Sequence, residues 1–312
     1  MSTSTLARPK KKTYKAKART WTPATDEEKA EKLAGAHRII SEAVANLQTS
    51  EQWVEHLKFA SKFYKYSFNN QILMWAQAGG RGMKPLTHVA SFTAWKGLER
   101  SVQKGETGLK IFAPIIVKVR PDEEGYFPGK TKLVGFKVVS TFDIQQTEGK
   151  AIPEAPKFDY PEGEIPEGLN EGADRFGEKI GFPISFGATG SADGYTDPVK
   201  HEIVIGTQFA DNPARVFRTK VHELAHALLH TAKTEDGEFE FDYRAHRGVA
   251  ETEAESVAFI VADYFGVDTS SCSFHYVAGW APTPETVVQV GTRVTKTAKT
   301  IIEALEKGPD KE

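Results

Sequence analysis

The sequence predicts an α+β chain of two domains, and three observations carry that expectation. The chain has 312 residues, about twice the usual size of a domain. Apolar residues recur at helical spacing up to about residue 100 and at strand spacing beyond Gly108. Midway lies the stretch 145–170, with four prolines, five glutamates and three glycines, which reads as an exposed linker. The expected division is a basic arm over 1–22, a first domain over 23–147, a linker over 148–168 and a second domain over 169–312.

Each element has a local reason. Residues 1–20 are rich in Lys, Thr and Ala and are expected to be a disordered arm. A first helix starts at Asp26, where Thr25 and Glu28 fit a capping box, and carries Leu33, Ala36, Ile40, Val44 and Leu47 on one face. A second covers Ser50–Ser61 with Trp53, Leu57 and Ala60 inward. A third covers Asn69–Ala78 and ends at Gly79-Gly80. Residues 91–101 read as a short fourth. Leu109–Val119 and Lys132–Ile144 are rich in Val, Ile and Phe and flank the turn-rich Pro121–Gly129, which predicts a β-hairpin. In the second half a helix spans Leu169–Ile180, and strands follow at Ile184–Gly187, Gly194–Thr196 and Glu202–Ile205. Asp211-Asn212-Pro213 opens a helix running to Thr231, with proline in the first turn. Two more helices span Gly248–Phe265 and Pro284–Lys307.

Composition narrows the function classes. Hydrophobic residues make up 39% and charged residues 26%, and apolar runs such as Val257–Ala262 are far shorter than the roughly 20 residues a bilayer span needs. No leader with an apolar centre opens the sequence, so a cytoplasmic protein without membrane contact is expected. A single cysteine, Cys272, excludes a disulfide framework and a cysteine-based metal cluster. The net charge of −2 conceals +11 over residues 1–144 and −13 over 145–312. A polyanionic partner is therefore expected at the first half, although seven positive charges precede Asp26, so the arm supplies most of the excess.

His222-Glu223-Leu224-Ala225-His226 is an H-E-x-x-H inside a predicted helix. Four residues make a little more than one helical turn, so both imidazoles face the same way and can share one tetrahedral metal ion, with Glu223 placed to accept a proton from water on it. Such a match arises by chance in roughly one chain of this length in a hundred. His230, four residues further on, sits too far along a straight helix to join the same ion, since the two steps from His222 to His230 span about 12 Å. It is expected to pack or to support the site from behind. Glu251 and Glu255 share one face of the following helix, whereas Glu253 lies about 200° round from Glu251. Glu251 is the expected third ligand, with Glu253 in reserve, and Glu255 the carboxylate that holds the far nitrogen of one histidine. The expected cofactor is one Zn²⁺ per chain, or another divalent metal. The chemistry that follows is amide hydrolysis, with Glu223 as general base and Tyr276, His275 and His246 as oxyanion-side donors by residue type alone.

Two stretches together resemble the ArdC-type antirestriction proteins of conjugative plasmids and phages. The first is Tyr66-Ser67-Phe68-Asn69-Asn70-Gln71-Ile72-Leu73, followed by Thr87-His88-Val89-Ala90, Trp95 and Lys104-Gly105-Glu106-Thr107-Gly108. The second joins the H-E-x-x-H and Glu251–Glu255 to Ser273-Phe274-His275-Tyr276-Val277-Ala278-Gly279-Trp280. The resemblance implies an N-terminal domain that binds single-stranded DNA and a C-terminal zincin-like metallopeptidase domain. The latter is similar to the ImmA/IrrE-type peptidases, with Glu255 standing where those have asparagine. It also implies a role in shielding incoming DNA; it does not name what the peptidase cuts, for which a host restriction component or another protein is a candidate.

The first half supports this in part. Tyr64, Tyr66, Phe68, Trp75, Phe92 and Trp95 interleave with lysines and arginines, as a single-strand binder requires, although at helical spacing most of these rings are expected to be core. The expected DNA-contacting residues are Lys96, Arg100, Lys104, Lys110, Tyr66 and Asn69. The rival reading is a protein that coats DNA without catalysis and uses the zincin part as a metal-stabilised scaffold.

Overall fold

The computed structural model describes residues 25–47, 49–121, 127–152, 163–236, 239–243, 245–270, 274, 281 and 283–307. The expected arm falls outside them, as does much of the expected linker.

The elements follow the sequence expectation closely. Helices α1 (Asp26–Ala45), α2 (Ser50–Lys62) and α3 (Phe68–Gly80) lead into β1 (Val89–Ser91), α4 (Phe92–Gly97) and β2 (Arg100–Val102). The hairpin is β3 (Leu109–Lys118) with β4 (Thr131–Asp143), and β5 (Thr147–Gly149) closes this half. Then come α5 (Leu169–Lys179), β6 (Ile184–Gly187), β7 (Gly194–Asp197), β8 (Glu202–Gly206), α6 (Pro213–His230), α7 (Arg247–Tyr264) and α8 (Pro284–Glu306). The capping box of Thr25 and Glu28 is present, and Thr49 with Gln52 forms a second one. The predicted fourth helix is shorter than expected, because Arg100–Val102 is drawn into a strand by pairing with β5.

Three small sheets result. In the first the order is β1-β4-β3, all antiparallel, with a bulge at Ile115/Ile116. The second is the β2-β5 pair, and the third is β6-β8-β7, in which β6 runs parallel and β7 antiparallel to β8. Asn70 of α3 clamps the hairpin base, accepting from the Phe112 N–H at 2.8 Å and donating to its carbonyl at 2.9 Å. Beyond this clamp the hairpin exposes Ile116, Leu133, Val134 and Phe136.

The two expected domains share one hydrophobic core, which runs without a break from Ala36 to Ile302. Helix α2 lies on α7, where the Trp53 indole donates to Ser256 Oγ at 3.0 Å and the Ser61 hydroxyl to Asp263. Helix α8 packs on α1 and α3 from the first half and on α5, α6 and α7 from the second. Its Gly291 is the point of closest approach, since a Cβ there would lie 2.2 Å from the Phe68 ring. A break in composition along the chain is therefore no break in packing.

His56 of α2 sits in this shared core, 1% exposed, against the rings of Trp53, Phe68 and Trp75, and its Nδ1 has no partner. Burial pushes its pKa down to about 3. Between that value and the ordinary one near 6.5 the unfolded chain binds the proton and the folded chain does not, so stability falls as pH falls through that window. Melting temperature measured from pH 7 to 4 is expected to drop more steeply in the natural protein than in His56→Leu. Parallel curves would show that the imidazole is charged in place. Gly291→Ala is expected to cost about 1–3 kcal/mol in denaturant unfolding, because Phe68 must move.

Candidate metal centre and nucleic-acid interface

Helix α6 carries the H-E-x-x-H and is fixed at its start by Asn212, which caps the Arg215 N–H, with Pro213 in the first turn. Its inner face (Val216, Phe217, Val221, Leu224, Ala225) is buried, which anchors the helix and leaves His222 and His226 facing α7. Helix α7 brings Glu251 and Glu255 to the same place. His222 Nε2 and His226 Nε2 lie 3.1 Å apart, and Glu251 Oε2 lies 3.5 Å from the first and 3.9 Å from the second. Ligands held about 2.0–2.1 Å from one tetrahedral ion are separated by about 3.3 Å, so the three donor atoms have the spacing that a small divalent cation needs. They form a group that can hold a metal.

Around these atoms lies a supporting set. Glu255 Oε2 is 3.3 Å from His222 Nδ1, the position from which it can hold the ring's far nitrogen. The Tyr243 hydroxyl donates to Glu251 Oε1. The Thr196 hydroxyl lies 2.8 Å from Glu223 Oε2 and 2.9 Å from the Glu223 carbonyl oxygen, tying the expected general base to strand β7. Gly194 permits that approach, since a Cβ there would meet Thr219 at 2.8 Å and the Glu223 side chain at 3.3 Å. Glu253 and His230 stand apart from the donor group. Glu253 is fully buried and binds His230 and Arg293, which rules it out as the reserve ligand in this arrangement. The site opens into a cavity of about 590 Å³ lined by Asp193, Tyr195, Thr196, Arg218, Tyr243 and Arg247, among others.

Charge is concentrated here. Burial of His222 opposes its protonation, but hydrogen bonds from Glu251 and Glu255 and the charge of Glu223 outweigh it and push the imidazole up to about 10. The Glu251 carboxyl is held far below its ordinary value by His222 first and His226 second. Burial and Glu251 together push the Tyr243 hydroxyl up to about 12, so it is a donor at neutral pH.

Of the oxyanion-side candidates, Tyr276 and His275 lie outside the described residues. His246 stands at the start of α7, against Phe241 and the Asp242 carbonyl, and does not line the cavity. Tyr243 and Thr196 occupy the site instead. Neither belongs to a spaced motif, so the sequence carries no signal for them.

The expected DNA contacts separate into two groups. Lys96, Lys104 and Lys110 are exposed, Lys110 with its ammonium 2.7 Å from Ser140 Oγ. Arg100 is engaged within the fold: its guanidinium donates to Thr147 and to the Gly149 and Lys150 carbonyls and lies over Trp95, joining β2 to β5. Tyr66 is half-buried and donates to the Val89 carbonyl at 3.0 Å, and Asn69 is half-buried, with Oδ1 unpartnered. For Tyr66 and Arg100 local packing uses the groups that a nucleic acid would need. Neither asparagine caps α3, whose first residue follows Ser67. The turn Lys104–Gly108 is held from inside by Gln146 and Arg81, and Gly108 is required where a Cβ would meet Ser140 at 2.8 Å. Of the six candidate rings, Tyr64, Phe68 and Trp95 are buried and Phe92 is 56% exposed. Phe127 and Phe136 on the hairpin, absent from that set, are exposed as well.

Residues 34–150 match the family described as the N-terminal domain of anti-restriction factor ArdC. The Bacillus anthracis uncharacterized protein pXO2-81 is 27% identical over an alignment of 332 residues that takes in 92% of this chain and 53% of that protein. The chain thus spans about half the length of this curated relative. Two crystal structures of the antirestriction ArdC protein from plasmid R388 share the fold. The metal-free form aligns with a TM-score of 0.50 at 20% identity, over 78% of this chain and 84% of that one. The Mn(II)-bound form aligns with a TM-score of 0.51 at 17% identity, over 88% and 97%.

Metal binding must displace the proton that the carboxylates hold on His222, so affinity is expected to rise by about tenfold per pH unit below pH 10. Calorimetric titration with Mn(II) and Zn(II) at pH 6, 7 and 8 measures this. A pH-independent affinity would remove His222 from the ligand set. Residues 34–150 are thus similar to the N-terminal domain of anti-restriction factor ArdC, and the fold of the chain is similar to that of the plasmid protein.

Proposed function

We propose that this is an antirestriction protein of a mobile element that binds single-stranded DNA through its N-terminal half and hydrolyses a peptide bond at the centre between α6 and α7. One observation supports the enzymatic reading above the others: Glu223 is tethered by Thr196 beside three converging donors, at the wall of an open cavity. A pure scaffold needs His222, His226 and Glu251 but has no use for a carboxylate fixed next to them.

His222, His226 and Glu251 hold the cation in this proposal, and zinc is the metal. The bound ion acidifies water and polarises the scissile carbonyl. Glu223 takes the proton from the attacking water and later delivers it to the leaving amine, and Thr196 keeps its carboxylate turned to the site. Tyr243 and Glu255 keep Glu251 and His222 in register. A restriction component of the host, which the DNA-bound protein would meet, is the proposed substrate.

For nucleic acid the exposed groups supply both parts of a single-strand surface. Lys96, Lys104 and Lys110 offer cations to phosphates, and Phe92, Phe127 and Phe136 offer rings to bases. The paired replacement Lys96→Glu and Lys104→Glu is expected to weaken binding and flatten its salt dependence. Phe136→Ala is expected to cost about 1–3 kcal/mol with the salt slope kept. Fluorescence anisotropy with a labelled oligonucleotide, read across a salt series, distinguishes the two effects.

Glu223→Ala decides between catalysis and coating. In the enzymatic reading the variant binds metal and DNA as before but loses both proteolysis and protection of incoming DNA. Full protection by the variant would transfer the role to the DNA-binding surface alone.

A further inference from the structure

Behind the donor group runs a buried chain of hydrogen bonds that leads away from the cavity. His226 Nδ1 lies 3.0 Å from His230 Nδ1, His230 Nε2 lies 2.9 Å from Glu253 Oε2, and Arg293 of α8 donates to the same oxygen at 2.8 Å. The His230 side chain is 3% exposed and that of Glu253 is 0% exposed, and the ring of Phe241 covers His230 at a centroid distance of 4.5 Å. A carboxylate removed from water to this degree persists only where it is paired and hydrogen-bonded.

We propose that His230, Glu253 and Arg293 are positioning residues that fix the tautomer of His226, leaving its Nε2 lone pair free for the metal.

The proton placement follows from the far end of the chain. Glu253 Oε2 accepts from Arg293, and His230 Nε2, 2.9 Å from the same oxygen, is the donor of that contact. An imidazole with its one hydrogen on Nε2 presents Nδ1 as an acceptor. The short contact to His226 then requires hydrogen on His226 Nδ1, which leaves Nε2 bare and facing His222 and Glu251. The opposite tautomer would aim an N–H at the cation. His222 is held by Glu255 in the same sense, so the two ligands have different supports: one carboxylate directly, the other a carboxylate through a second imidazole.

This proposal rests on the reading of His222, His226 and Glu251 as the metal site, and its test separates the two. Long-range ¹H–¹⁵N NMR of histidine-labelled natural protein, before and after one equivalent of Zn(II), should show His226 protonated at Nδ1 and bare at Nε2 in both states. Hydrogen on His226 Nε2 in the protein before zinc addition overturns the proposal, whether or not zinc then binds. Failure of the natural protein to bind zinc overturns the metal reading instead. His230→Leu is expected to weaken Zn(II) and Co(II) binding by about 10–100-fold and to alter the Co(II) absorption spectrum. His230→Gln, whose amide can accept from one neighbour and donate to the other, should recover part of that loss. A merely packing role for His230 predicts wild-type metal affinity in both variants, with any loss confined to melting temperature, and that result would sink the idea.

Discussion

The face-to-face packing of α6 and α7 is the constraint on which the rest depends. Helix α7 is apolar for most of its length, and its polar side chains toward the interior are paired, with Glu253 engaged through Oε2 while its Oε1 has no partner. Glu251 meets His222 and Tyr243, Glu253 meets His230 and Arg293, Glu255 meets His222, and Ser256 meets the Trp53 indole. Several carboxylates and imidazoles at the edge of a hydrophobic core would be costly if any were left unpaired. Small residues such as Ala225, Ala254 and Ala258 are buried along these helices, and they let the polar groups approach closely enough to pair.

That packing also explains why the two halves share a core. Helix α7 turns one face to the metal donors and another to α2, so the element that completes the site is held from the N-terminal side by Trp53 and Ser61. Helix α8 repeats this arrangement: Arg293 reaches Glu253 behind the site, while Gly291 seats Phe68 of α3. The linker composition marks where the chain crosses between halves, not where packing stops.

The hairpin is organised differently. Near its base it is tied by Asn70 and Gln77 of α3 and packs on a small second cluster that includes Met74, Leu86 and Leu109. Past the bulge at Ile115/Ile116 it carries large apolar side chains in contact with solvent. A β-ribbon of this kind gains little from its own burial, and apolar exposure on such a scale marks a surface for contact. The first half thus joins a rigid helical base to an extended arm with exposed rings and cations.

The sequence by itself determined the elements and the heart of the candidate site. The Thr25–Glu28 capping box, the Asn212-Pro213 helix start and the change from helical to strand spacing are local signals, decided within a few residues, and the structure places them where they were read. The pair His222 and His226 was legible for the same reason, and helical phase alone put Glu251 and Glu255 on one face and Glu253 on another. Tertiary structure decided everything that depends on what lies across a gap. Tyr66 and Arg100 have the chemistry of DNA contacts, but β1, β5 and the local packing claim their groups. Phe136 reads as an ordinary strand residue and Phe127 as part of a turn, and the tertiary structure leaves both rings exposed. Thr196, Tyr243 and Arg293 come from three separate segments, and no spacing along a chain encodes a distance set by how helices and strands pack.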